Sequence, residues 1–157
     1  MLSHLQARRT PETLQREIIR ADAVTADLAS AVLDLALTRR ALPDVSPQAN
    51  RMRELIGAQA WTDTALALVA LDHSRVLRQL TYDSGEWHCT LGALWPVPAW
   101  LDDTVEFTHP ELPLAILGAL ARALQEKSAP ASAATSVPQS RTKLRDVVEY
   151  LECDNFA

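Results

Sequence analysis

The amino-acid sequence predicts an α+β protein that is mostly helical. Its 157 residues are 48% hydrophobic but only 5% aromatic, with four glycines, and this composition favours helices rich in Ala and Leu. A single stretch, residues 76–91, has the pattern of a β-hairpin. The length suits one domain, which we place at residues 1–127 with a flexible N-terminus at 1–10.

The first predicted element is a long N-terminal helix that ends at Leu42, before Pro43. Thr10 can cap it and Pro11 suits its first turn. Apolar residues recur at alternating spacings of four and three, which would suit either a core-facing stripe or a helix pair across a dimer interface. A helix of about thirty residues would extend roughly 45 Å, which is long for a compact domain of this size and keeps the dimer interpretation open.

A second helical stretch is expected from about Asn50 to Leu71, after a proline-containing connector at residues 43–49. It could be one helix or two segments that meet near Trp61, with Thr62 or Asp63 as a cap. Residues 65–71 alternate in a way that would also suit a buried strand, but we favour helix.

The hairpin is predicted to turn at Ser84-Gly85, which places Tyr82 opposite Trp87 and Leu80 opposite Cys89. One face is then apolar and comprises Val76, Leu80, Tyr82, Trp87, Cys89 and Leu91, and the other is polar and comprises Gln79, Thr81, His88 and Thr90. An isolated two-stranded ribbon is marginally stable in water, so the apolar face must pack on helices.

Residues 92–113 contain four prolines and two tryptophans and predict an extended strap, with Trp95 and Trp100 buried against the core. A proline-rich docking motif is the alternative, although the PVP spacing does not fit it. Thr108 and Glu111 have the spacing of a capping box. The helix that follows is apolar on nearly every face and is predicted to be the central core helix.

The C-terminal part changes composition at Ser128. Residues 128–141 are small, polar and interrupted by proline, and they predict a flexible linker. Residues 142–157 predict a short amphipathic docking helix, which would be unstable alone and would therefore dock on its own domain or on another chain.

Charge and cysteine content favour a cytoplasmic protein without nucleic-acid or membrane partners. The net charge is −5, and residues 61–127 hold 4 basic against 9 acidic side chains, which disfavours binding to phosphate backbones and anionic lipid. The sequence shows no signal-peptide pattern and no apolar run of membrane-spanning length. Cys89 and Cys153 make no disulfide framework.

No motif for a nucleophile, a phosphate or a dinucleotide is present, so we predict no catalytic residue and no cofactor. The weak candidates for a metal or catalytic site are two histidines and two aspartates that folding would have to bring together: His88, His109, Asp102 and Asp103. None of them has a recognised metal-ligand spacing.

The leading functional hypothesis is a small non-catalytic protein-interaction module, such as an adaptor, regulator or accessory subunit. It would bind a protein partner or a second copy through two helical stripes, comprising Leu14, Ile18, Leu28, Val32 and Leu35 in the first and Leu144, Val147, Val148 and Leu151 in the second. The alternatives are an enzyme or metal protein that uses the histidine and aspartate candidates, and a chaperone or inhibitor of a basic client protein.

Overall fold

A computed structural model describes residues 9–95 and 103–126. It confirms the predicted fold class, with helices packed on one face of an antiparallel sheet. The elements within the described residues are α1 (Pro11–Arg20), α2 (Ala26–Arg40), α3 (Pro47–Gly57), α4 (Trp61–Asp72), β1 (Arg75–Asp83), β2 (Glu86–Ala93), β3 (Val105–His109) and α5 (Leu112–Glu126). The predicted linker and docking helix, as well as residues 1–8, lie outside the described residues.

The prediction of one long N-terminal helix is wrong, because the chain forms α1 and α2 instead. Ala21 has an extended backbone (φ −79°, ψ 135°), and the Thr25 hydroxyl accepts a hydrogen bond from the Leu28 N–H at 3.2 Å. Thr25 is therefore an N-cap rather than a position in a continuous seam. The apolar spacing continues across the break because both helices bury a stripe against the same core.

The second helical stretch consists of two helices that meet near Trp61, which is one of the two predicted arrangements. Residues 65–71 are helical, as we favoured. The predicted caps of α4 are wrong: the N-cap is Ala60, which makes no side-chain hydrogen bond, and Thr62 and Asp63 lie in the first turn. A side-chain cap occurs instead on α3, where the Ser46 hydroxyl accepts from the backbone N–H of residue 49.

The predicted hairpin register is confirmed around the turn, where Tyr82 opposes Trp87. Ser84 (φ 53°) and Gly85 (φ 94°) both adopt positive φ, as a two-residue turn that matches the strand twist requires. The register shifts between Leu77 and Gln79, where β1 contains an irregularity.

This shift corrects the predicted apolar face at its far end. Val76 lies opposite Gly92, whereas Leu77 lies opposite Leu91. Leu77 therefore takes the place on the core face that we had assigned to Val76. A bulge adds one residue to a strand, so side-chain parity counted from the turn fails beyond it.

The predicted strap is wrong for residues 105–109, which form β3 and pair antiparallel with β2. The segment alternates buried and exposed side chains, with Val105, Phe107 and His109 facing the helices. Trp95 is 73% exposed, so its predicted burial is also wrong. Trp100 lies outside the described residues.

Helix α5 is the central core helix, as predicted, and contacts α1, α4, β2 and β3. Phe107 packs directly on its backbone at Gly118, where an added Cβ would lie 2.2 Å from Phe107 Cε1. Cys89 lies in the same core, and burial raises the pKa of its thiol to about 11. Nowhere in the described parts of the chain is a helix long and apolar enough to cross a membrane.

Candidate functional site: the two ends of the sheet

The two ends of the sheet differ in how completely they are tied to the helices. The first, which we call the anchored end, is formed where β1 begins and α5 ends and comprises Arg75, Asp103 and Glu126. The second, which we call the hairpin end, surrounds the β1–β2 turn and the last residue of β3 and comprises Tyr82, Asp83, Glu86, Trp87 and His109.

Arg75 organises the anchored end and is almost completely buried. Its guanidinium donates to the Asp103 carboxylate at 2.6 Å and to the Asp103 backbone carbonyl, and it lies 3.8 Å from a Glu126 carboxylate oxygen. These contacts connect the start of β1, the segment that enters β3 and the end of α5. The buried charge is thus paired, as a buried cation must be.

Two further arginines cap the ends of helices near the C-terminus of α2. Arg39 donates a hydrogen bond to the Leu124 carbonyl in the last turn of α5, and Arg40 donates to the Leu71 carbonyl in the last turn of α4 at 2.8 Å. Carbonyls in a last helical turn have no partner within their own helix, and a cation there also suits the helix dipole. The end of α2 is thereby tied to the ends of α4 and α5.

The hairpin end projects beyond the helices. All of the residues from Thr81 to Glu86 are exposed, on both faces of the ribbon. Tyr82 is 60% exposed even though it lies on the face that carries the core residues, and its ring centroid is 5.0 Å from that of Trp87 at an interplanar angle of 51°. Tyr82 is thus presented to solvent near the tip of the ribbon, whereas Trp87 is half-buried and packs against the core.

Two carboxylates flank the turn of this ribbon. Asp83 lies directly opposite Glu86, and neither forms an ion pair within residues 9–95 and 103–126. Like charges directly opposite each other on neighbouring strands destabilise a hairpin. The tip therefore holds negative charge that the described part of the chain does not neutralise.

A cleft of about 380 Å³ lies beside the hairpin, between the end of α1 and the start of α5. Its acidic side chains outnumber its basic ones, with Asp22, Glu86 and Glu111 against Arg20. Ile19, which is 58% exposed, lies on its rim. Glu86 is the residue that this cleft shares with the hairpin turn.

His109 lines this cleft and is buried. Its Nδ1 accepts a hydrogen bond from the Glu111 N–H at 3.0 Å, so Nδ1 carries no proton, and Nε2–H donates to the Ala21 carbonyl at 3.1 Å. The ring thus ties the α1–α2 connection to the start of α5, which replaces the predicted capping box at Thr108. With both nitrogens occupied, His109 has no free position for a metal or for proton transfer.

The three weak metal candidates that the structure describes, namely His88, His109 and Asp103, do not lie together. His88 points to the open face of the sheet, with Nδ1 3.8 Å from Glu106, whereas the adjoining His109 faces the helices. Asp103 pairs with Arg75 at the anchored end, and Asp102 lies outside the described residues. Among the residues that the structure describes, no group of three His, Cys, Asp or Glu could hold a metal ion.

The first predicted partner-binding stripe lies inside the single chain. Four of its members are buried and Leu35 is half-buried; the buried ones are Leu14, Ile18, Leu28 and Val32. Apart from the half-buried Leu35, this stripe offers no exposed apolar surface to a partner. The second stripe, at Leu144, Val147, Val148 and Leu151, lies outside the described residues.

The hairpin end was not predicted as a site. Sequence alternation assigned Tyr82 and Trp87 to a covered face, and Trp87 does pack against the core. Tyr82 does not, because parity gives the side of a strand but not how far the covering helices extend. The carboxylates on both sides of a two-residue turn were the one signal that could have indicated this end. No family model, no curated protein and no solved structure matches the chain.

Proposed function

We propose that this protein is a small non-catalytic interaction module that binds a protein partner through the hairpin end. The proposal keeps the predicted class of function and moves the binding surface from the N-terminal stripe to the tip of the sheet. One observation carries it, namely that the hairpin presents Tyr82 to solvent, packed against the half-buried Trp87 and beside a cleft.

The residue types at the hairpin end are those that dominate binding energy in protein interfaces. Tyr and Trp provide a large contact area with few rotatable bonds, and they are enriched among residues whose truncation weakens binding most. Ile19 extends the apolar surface on the other side of the cleft. Val45, by contrast, is 81% exposed but lies apart from this surface, in the connector before α3.

Quantitative co-purification from the cells that naturally produce the protein tests the proposal. The full chain would be compared with Tyr82→Ser and with Val45→Ser, which is a matched control because it also replaces an exposed apolar residue by serine. We expect the partner recovered with the unaltered chain to be retained by Val45→Ser and depleted by Tyr82→Ser. Thermal unfolding of all three proteins confirms that each is folded.

Equal recovery of the same proteins by all three chains would overturn the proposal. So would the recovery of no protein by the unaltered chain, if light scattering also gives a mass of 17.3 kDa and thus a monomer. A dimer that Tyr82→Ser dissociates would identify the partner as a second copy, as the dimer hypothesis predicts, and would support the same surface.

A further inference from the structure

We infer that the hairpin end recognises an arginine-bearing segment of its partner, whose guanidinium stacks on the exposed ring of Tyr82, beside Trp87. Neighbouring positive charges of that segment would reach around the turn to Asp83 and Glu86, which lie on the other face of the ribbon. This inference rests on the proposed function and names the chemistry of the partner.

The aromatic pair supplies a face for a cation. Tyr82 and Trp87 are tilted by 51° with centroids 5.0 Å apart, so the rings form an angled platform rather than a closed stack. Tyr82 is largely exposed. The electron-rich face of an aromatic ring attracts a cation placed over it, and tryptophan and tyrosine do so most strongly.

The surrounding charge favours a cation over an anion. Asp83 and Glu86 repel each other across the hairpin, and a bound positive charge would relieve that repulsion. Within the cleft, Asp22, Glu86 and Glu111 outweigh Arg20. A cationic segment would therefore meet net negative charge both at the turn and in the cleft, which fits the surplus of acidic residues between positions 61 and 127.

Arginine fits this combination better than lysine. A guanidinium is planar and stacks on aromatic rings, and its N–H donors remain available in its plane while it is stacked. Lysine carries a compact, strongly hydrated charge that must lose more water to approach a ring. The surface thus predicts a preference for arginine over lysine in addition to a general preference for cations.

Titration of the full chain with a capped tetra-arginine peptide, followed by NMR of backbone amides and tryptophan indoles, tests the inference. We expect shifts at residues 82–87 and at the Trp87 indole. Tetra-lysine should bind more weakly, and tetra-citrulline, which has the same shape without charge, should produce no shifts. Tyr82→Leu keeps an apolar side chain but removes the ring, and it should weaken the arginine peptide by roughly threefold to fivefold.

A charge-matched pair of variants separates site binding from attraction to any acidic protein. Asp83→Asn combined with Glu86→Gln removes two carboxylates from the hairpin end, and Glu54→Gln combined with Asp63→Asn removes two exposed carboxylates elsewhere. The net charge becomes −3 in both, since each removes two of the charges that give −5. We expect the hairpin variant to bind the arginine peptide more weakly and the remote variant to bind it as the unaltered chain does.

Equal weakening in the two double variants, or shifts that avoid residues 82–87, would overturn the inference. Its failure is distinguishable from failure of the proposed function. If Tyr82→Ser loses the co-purified partner but the arginine peptide does not bind, the interaction surface stands and the arginine inference falls. If the peptide binds as expected while Tyr82→Ser retains every co-purified protein, the cation site stands and the proposed function falls.

Discussion

The anchored end and the hairpin end belong to one sheet, but the charges are paired at the first and unpaired at the second. At the anchored end, the buried Arg75 is paired with Asp103 and lies near Glu126, so every charge has a counterpart. At the hairpin end, Asp83 and Glu86 face each other without an ion pair in the described residues. A fold can tolerate unpaired carboxylates at one end of its sheet when contacts elsewhere in the molecule provide the stability.

The two ends also differ in the side-chain hydrogen bonds that connect their strands, helices and loops. Three arginines join strands and helix ends near the anchored end. At the hairpin end, His109 connects the α1–α2 loop to α5 by two neutral hydrogen bonds, and the ribbon beyond it is exposed on both faces. Substitutions at the anchored end should therefore reduce stability, whereas those at the ribbon tip should mainly affect binding.

The largest effect on the free energy of unfolding is expected between the two ends, for a substitution of Gly118. An alanine Cβ there would lie 2.2 Å from Phe107 Cε1, and both groups are held by regular structure. Gly118→Ala should lower the free energy of unfolding by about 3 kcal/mol, measured by urea denaturation, even though alanine favours helix by about 1 kcal/mol. Both ends should loosen together in hydrogen exchange, because α5 spans them.

A smaller side chain at position 107 provides the control. In a protein that already carries Phe107→Val, Gly118→Ala should lower the free energy of unfolding by less than about 1 kcal/mol, because the ring that would clash with the new Cβ is absent. An equal loss of unfolding free energy with Phe107 and with valine at position 107 would show that the contact with Phe107 does not explain the destabilisation.

The next largest effect is expected at the anchored end. Arg75→Met keeps most of the side-chain volume but removes the ion pair and leaves the Asp103 carbonyl without its donor, which should cost about 2 kcal/mol in urea denaturation. Arg53→Met removes an exposed ion pair to Asp44 and should cost less than about 0.5 kcal/mol. Similar costs for the two variants would contradict the special role of the buried arginine.

At the hairpin end, His109→Ala removes both hydrogen bonds and should cost about 1.5 kcal/mol. His109→Asn should recover part of this, since an amide oxygen can accept from the Glu111 N–H as a cap does. His88→Ala, on the open face of the sheet, is the control and should be nearly neutral. The stabilities of these variants would be compared by thermal unfolding. If His109→Asn is no more stable than His109→Ala, the capping role of His109 is contradicted.

The smallest effect is expected at the ribbon tip, and it has the opposite sign. Asp83→Asn relieves repulsion from Glu86 and should stabilise the protein by about 0.3 kcal/mol at low salt, with the gain shrinking as salt rises. Asp63→Asn, in the first turn of α4, should instead destabilise slightly, because an acidic residue there suits the helix dipole. A loss of stability in Asp83→Asn would remove the contrast between the two ends.

Local patterns predicted the elements whose signals lie within a few residues of one another. The Ser84-Gly85 turn fixed the pairing of Tyr82 with Trp87, and the all-round apolar pattern of α5 indicated a central helix. The break between α1 and α2 was missed because a stripe that faces one core keeps its spacing across a short interruption. β3 was missed because nearby prolines dominated the interpretation of a five-residue alternation.

Sequence patterns alone were sufficient for the fold class, the hairpin register near its turn and the helical character of most of residues 50–71, since each depends on hydrogen bonds or packing between close neighbours in the chain. Only the tertiary structure decided that Leu14 and Ile18 are covered, that Arg75 is buried and paired, and that Tyr82 extends beyond the helices. Those outcomes depend on how far one element reaches over another. The extent of that coverage is set by contacts between residues that are distant in sequence, and local periodicity carries no information about such contacts.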